Sequence, residues 1–192
     1  MVPGNAGDGT LGSSFEASSI AGELDELPSA NADMQLLVGE DSMRAGIRSA
    51  QLREMFDHYI SLRPEKGKMP PRDSFSPAAL PRHLPNIFLV EVEPQEDGVP
   101  DYRYRVFGTA LSVLFGAEMT GKLVSEFTDH NRAERSRRIL DHVALLRRPV
   151  RTAGNFVSKN GMSVFGESIV LPFGEEGRVT HILADLDYDQ VD

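Results

Sequence analysis

Apolar positions change their period several times along the chain. Ile47, Leu52, Met55, Phe56, Tyr59 and Leu62 recur at spacings of three, four and five. That stripe predicts one amphipathic helix from about Arg44 to Leu62, closed by Pro64, which disfavours helical geometry in the residue before it. A connector rich in Pro and Lys runs from Pro64 to Pro71. Ser76-Pro77 then reads as an N-cap with proline at the first helical position, opening a short turn that stops near Pro81.

From Asn86 the period shortens to two. Phe88, Val90 and Val92 alternate with Leu89, Glu91 and Glu93, the pattern of a half-buried strand. Tyr102 to Phe107 forms a second strand, joined to the first as a hairpin through Pro94 to Pro100. Its alternation groups Tyr102, Tyr104 and Val106 on one face and Arg103, Arg105 and Phe107 on the other, without saying which face is inside. Three helical segments follow. Thr109 is expected to cap the first, which Gly116 stops; Thr120-Gly121 opens the second, with Leu123, Val124 and Phe127 as its apolar side. Asp129 or Asn131 caps a longer third helix to about Arg148, with Ile139, Val143 and Leu146 in one sector. Strands from about Val150 to Ser158, Met162 to Leu171 and Arg178 to Asp187 complete the pattern, the first two joined by the hairpin signal Asn160-Gly161.

Charge divides the chain. Residues 1–43 contain eight acids and no Lys or Arg; the remaining 149 residues carry 21 acids and 20 bases. Residues 1–43 read as a disordered acidic tail in which Met34 to Val38 can form a transient helical turn. Such a tail is either a plain solvated leader or a partner-binding arm. A nearly neutral domain behind it argues against non-specific nucleic-acid binding. No basic-then-apolar leader and no membrane-length apolar run is present, so a cytoplasmic location without membrane contact is expected. The chain has no cysteine, which removes disulfides, thiolate metal sites and thiol catalysis.

Tyr104-Arg105-Val106-Phe107-Gly108-Thr109, then Leu111, Gly116 and Thr120-Gly121-Lys122, resemble the arginine–glycine–threonine pattern of a bacterial PAS subfamily of short, stand-alone proteins. The run from Leu62-Arg63 to Met69-Pro70-Pro71-Arg72, then Ser76-Pro77, resembles the segment that precedes its core. The resemblance implies an α+β PAS fold: a five-stranded antiparallel sheet with flanking helices over residues 86–189, behind an N-terminal cap helix and connector over 44–85. It also implies a sensory or regulatory role in signal transduction through a protein partner, with a small-molecule ligand, a haem or a ligand-free scaffold as the alternatives. Homodimerisation is expected through the helix stripe of Leu52, Met55, Phe56 and Tyr59, which otherwise packs on the domain's own core.

If the fold encloses a pocket, the candidate ligand contacts are Arg105, Tyr104, Phe115, Val143 and His142. Arg105 either points inward to hold an anion or outward to pair with Glu91 or Glu93. His142 is the candidate haem ligand, at the edge of its helix's apolar sector. Photosensing through a cysteinyl adduct is excluded by the missing cysteine. Arg132, Arg135, Arg137, Arg138, Arg147, Arg148 and Arg151 concentrate around one helix, either as a solvated face or as a dock for an acidic partner or the chain's own tail. No phosphate loop, dinucleotide fingerprint, metal-ligand set or nucleophile–base pair is visible, so no catalytic or metal residue is assigned and no enzyme is expected.

Overall fold

The computed structural model describes residues 35–38, 40–96, 98–175 and 177–191. Six antiparallel strands form one sheet in the order β1-β4-β5-β6-β2-β3. They are β1 (Gln35–Val38), β2 (Ile87–Glu93), β3 (Asp101–Phe107), β4 (Val150–Val157), β5 (Ser163–Glu175) and β6 (Arg178–Gln190). The helices are α1 (Glu40–Gly46), α2 (Ala50–Ser61), α3 (Thr109–Phe115) and α4 (His130–Leu146). Five strands and their flanking helices follow the expected order. The sixth, β1, pairs with β4 from Gln35↔Ala153 to Val38↔Val150, where a transient helical turn was expected. Residues 1–34 of the expected tail lie outside the described residues.

Both faces of the sheet are covered, and β5 and β6 distribute their side chains by simple alternation. Val170, Ile182 and Ala184 enter a core under α3 and α4, with Tyr102, Tyr104, Leu111, Leu140 and Val143. Ile169, Leu171, Phe173 and Leu183 enter a second core under α1 and α2, with Met43, Leu52, Met55, Phe56 and Tyr59. The strand expected to be half-buried is therefore buried on both sides at its start, because Ile87 and Leu89 serve the second core. Leu52, Met55, Phe56 and Tyr59 are each at most 1% exposed within the single chain. The stripe takes the core position and leaves nothing for a second subunit, so the dimer surface expected there is corrected. Burial of four such side chains stabilises the docked helix by several kcal/mol, at about 1.5–3 kcal/mol each.

The single helix expected from Arg44 to Leu62 is broken at Ile47-Arg48-Ser49. The break has a cause on β5. The Glu167 carboxylate accepts from the backbone N–H of Arg48 at 2.9 Å and of Ser49 at 2.8 Å. It also accepts from Arg151 Nε at 2.6 Å, both side chains being buried. Ser49 caps α2 by accepting from the N–H of Leu52. A carboxylate at a helix N-terminus meets unsatisfied N–H groups and the positive end of the helix dipole. A continuous helix would consume those N–H groups and strand Glu167.

Two more polar ties hold α2. The Tyr59 hydroxyl donates to the Pro172 carbonyl at 2.9 Å. Buried His83, on the turn before β2, faces Asp185 Oδ2 of β6 through Nδ1 at 2.6 Å and Glu54 Oε2 of α2 through Nε2 at 3.2 Å. Burial pushes the Asp185 carboxyl above its usual range, against the opposing pull of its His83 hydrogen bond.

Two predictions follow from these ties. Glu167→Ala leaves Arg151 buried without its carboxylate and is expected to cost about 3 kcal/mol or more in urea unfolding. Adding Arg151→Met should recover much of that loss; a single variant no worse than a surface substitution would show that Glu167 does not hold the helix. The second concerns pH. A folded-state carboxyl pKa raised above the unfolded value near 4 gives a contribution that is fully present below that value and lost as pH rises through the folded pKa. Asp185→Asn removes this loss, so variant-minus-wild-type stability should rise as pH increases above about 4. A flat or falling difference in urea midpoints would mean that pairing with His83, and not burial, governs Asp185.

Candidate functional site

Local sequence places the helices that roof the sheet. Gly108 lies beside Pro85, whose carbonyl oxygen would sit 2.2 Å from any added Cβ. Its N–H donates to the Ile87 carbonyl at 2.8 Å. Gly108, not the expected Thr109, is therefore the N-cap of α3. The segment expected to form a second helix from Thr120 instead pairs with β3. Gly121 N–H donates to the Tyr104 carbonyl at 2.7 Å and Tyr104 N–H to the Lys122 carbonyl at 2.9 Å. Backbone groups committed to an edge ladder cannot also close a helix, and only the 3₁₀ turn Val124–Glu126 remains. The long helix is capped by Asp129, as expected, and ends at Leu146 with Arg147 in the left-handed region at φ 54°.

Between the sheet and α3 and α4 lies an apolar pocket of about 110 Å³. Its lining includes Phe88, Leu111, Phe115, Ile139, Val170 and Leu186. Ser136 and Ser168 are its only hydroxyl-bearing lining residues, and no charged residue lines it. Ser168 Oγ lies 2.7 Å from Thr152 Oγ1, so that hydroxyl already has a partner. Phe115, in the wall, tilts against Phe107 and Phe156 and carries the Arg132 guanidinium 4.7 Å above its ring. The arrangement can hold a small apolar group, and neither serine hydroxyl has a charged or imidazole neighbour among the lining residues.

Of the residues expected to contact a ligand, Phe115 lines the pocket and the other four do not. Tyr104 is buried one layer away, edge-on to Phe88 at 5.5 Å and to Phe107 at 5.1 Å. Val143 is wholly enclosed in the core. His142 donates from Nδ1 to the Arg138 carbonyl one turn back, at 2.6 Å. Arg105 points outward, its Nε donating to Glu91 at 2.7 Å. The reason is a β-bulge. Val90 pairs with Tyr104 and Leu89 with Val106, so Arg105 is an extra, unpaired residue on β3. The bulge breaks the simple alternation, sending Val106 to the α2 side and Phe107 to the pocket side. Haem does not fit here: His142 faces its own helix, and 110 Å³ is the share of about four water molecules, far short of a porphyrin.

Nine lining residues escaped sequence reasoning: Ser136, Ile139 and Leu140 on α4, Leu111 on α3, and Phe88, Ser168, Val170, Ala184 and Leu186 on the strands. The signal available was the inner-face phase of each strand, which needed the bulge and the second covered face to be known. Among the described residues no group of His, Cys, Asp and Glu is arranged to hold a metal, and no helix is long and apolar enough to cross a membrane.

A family model described as PAS domain matches residues 47–186. The chain belongs to the PAS family. A comparison with curated proteins gives no match. Among solved structures the PAS chain is similar to an RNA-binding light-oxygen-voltage receptor, with a TM-score of 0.45 and 17% identity. The match covers 84% of this chain and 38% of the receptor. PAS domains are generally sensory and often mediate protein interaction.

The outward position of Arg105 gives a direct prediction. Arg105→Ala removes an exposed ion pair and should change stability by less than about 0.5 kcal/mol. Ligand occupancy of the pocket, followed by methyl chemical shifts, should be unaltered; an altered pocket response would reinstate Arg105 as a ligand contact.

Proposed function

We propose that this PAS domain is a cytoplasmic sensory module that takes a small apolar ligand between its sheet and α3–α4 and signals through a protein partner. The observation that carries this reading is the uncharged pocket of about 110 Å³ at the junction of three strands and two helices. Apolar cavities of similar size, about 150 Å³, stay dry and accept benzene or xenon. The ligand class is therefore a single ring or a short aliphatic group, held by dispersion and loss of hydration rather than by charge. The absence of an acid–base pair in the lining supports binding without turnover. The near-neutral charge of the domain supports a protein partner over nucleic acid.

The strands supply a route to the other side of the molecule. Val170 and Ala184 line the pocket, while their neighbours Ile169, Leu171, Leu183 and Asp185 meet the α2 layer. A ligand that displaces the inner side chains shifts residues one position away that hold α2. The partner would read that change on α2 or on the connector after it.

Addition of benzene or xenon tests the pocket. Saturable shifts are expected at the methyls of Leu111, Ile139, Leu140, Val170 and Leu186. Ala184→Leu, which inserts methyl groups into the cavity, should abolish them while leaving cooperative unfolding intact. Absence of shifts in the wild-type protein would favour the ligand-free scaffold.

A further inference from the structure

Six of the seven arginines around α4 fall into two sets. Arg132 faces Asp129, Arg137 faces Asp101 at 3.0 Å, Arg138 faces Glu134 at 2.6 Å and Arg151 is buried on Glu167. Arg147 and Arg148 differ: among the described residues neither meets a carboxylate, and Arg147 donates to the Gly177 carbonyl at 3.0 Å. Both line a groove between the end of α4, the connector after α2 and the β5–β6 turn. Two adjoining cavities of about 690 Å³ and about 190 Å³ make it up, sharing Gly67, Lys68, Met69, Arg147 and Arg148. Its apolar surface comes from Pro64, Met69, Pro71 and Leu146; Arg63 and Lys68 add positive charge against Glu40 and Glu175.

Arg147 is also the one non-glycine residue among those described that has a positive φ. Glycine is the common residue there, and an arginine in this conformation costs about 1 kcal/mol. The strained turn sets two adjacent cationic side chains at the groove.

We propose that this groove docks the acidic segment of residues 1–34 of the same chain. That segment carries Asp8, Glu16, Glu23, Asp25, Glu26 and Asp33 and no Lys or Arg. Glu23-Leu24-Asp25-Glu26-Leu27 sets three carboxylates beside two leucines, matching a groove with a cationic rim and an apolar floor. The geometry permits it. Val38, at the end of β1, pairs with Val150, two residues from Arg148. The segment is attached at Gln35, and thirty residues of chain reach about 100 Å when extended. A tether of this kind presents the acids to the groove at an effective concentration on the order of millimolar. The docked segment would mask the groove from an acidic partner, which would have to displace it.

The missing cysteines make the test clean. A nitroxide on Ser19→Cys labels one site in the full chain. At low salt the Met69 and Leu146 methyl signals should lose most of their intensity, and recover with added salt or in the Arg147→Glu/Arg148→Glu variant. Mixing spin-labelled chain with isotope-labelled wild-type chain should leave the signals intact. Unchanged signals in the labelled chain would overturn the proposal, as would broadening that survives charge reversal. Equal broadening in the mixed sample would assign the groove to a second copy and overturn docking within one chain.

Discussion

The constraint on which the rest depends is that one sheet is buried on both faces. Apolar residues in the middle of β5 and β6 have a partner layer whichever way they point, so a one-residue slip would exchange the two cores. Register is therefore held twice, by the shape of the α3–α4 layer and by that of the α2 layer. The pocket exists because the first of these layers does not close completely over Val170 and Ala184. In the second, Leu52, Met55, Phe56 and Tyr59 meet Ile169, Leu171 and Leu183 in one core.

Polar groups decide where the layers sit. Apolar contact holds α2 on the sheet but would tolerate sliding along it. Glu167 at its N-terminus, His83 with Asp185 and Glu54 at its middle, and Tyr59 near its end fix three points along its length. Except for Glu54 these groups are buried, which makes a mispositioned helix costly, since it would leave the Glu167 carboxylate, Arg151 or Asp185 enclosed without a partner. The bulge at Arg105 does the same for β3. It lets Tyr102 and Tyr104 face one core and Phe107 face it again three residues later, with Val106 serving the other.

Much of the fold was legible in the sequence because it rests on local periodicity and turn chemistry. The hairpin at Asn160-Gly161, the Asp129 cap and the order of strands and helices all follow from residues close together in the chain. What was not legible depends on distant partners. Glu167 breaks the helix at residues 47–49 from more than a hundred positions away, and nothing near Ser49 announces it. The edge pairing of Gly121 and Lys122 with Tyr104 likewise overrides a local helical pattern. The site suffered most. Alternation assigned Arg105 to a face without seeing the bulge, and Phe115 alone of five candidate contacts reached the pocket. Pocket residues on strands look in sequence like ordinary core residues, because chemically they are.

That last point bears on how such a domain can sense anything. A pocket without charge has no ionic handle, so the selectivity proposed for it would come mainly from volume and shape. One methylene is worth about 0.8 kcal/mol on full burial, and overfilling costs about 1–3 kcal/mol. If it takes a ligand as proposed, a pocket of about 110 Å³ would discriminate by size within a narrow window. The same stiffness that sharpens the window makes occupancy visible elsewhere. A close-packed strand cannot absorb a displaced Val170 or Ala184 without moving Ile169, Leu171 or Leu183 beneath α2. Under the proposed function, sensing and transmission would rest on the same property: strands of the central sheet packed on both sides.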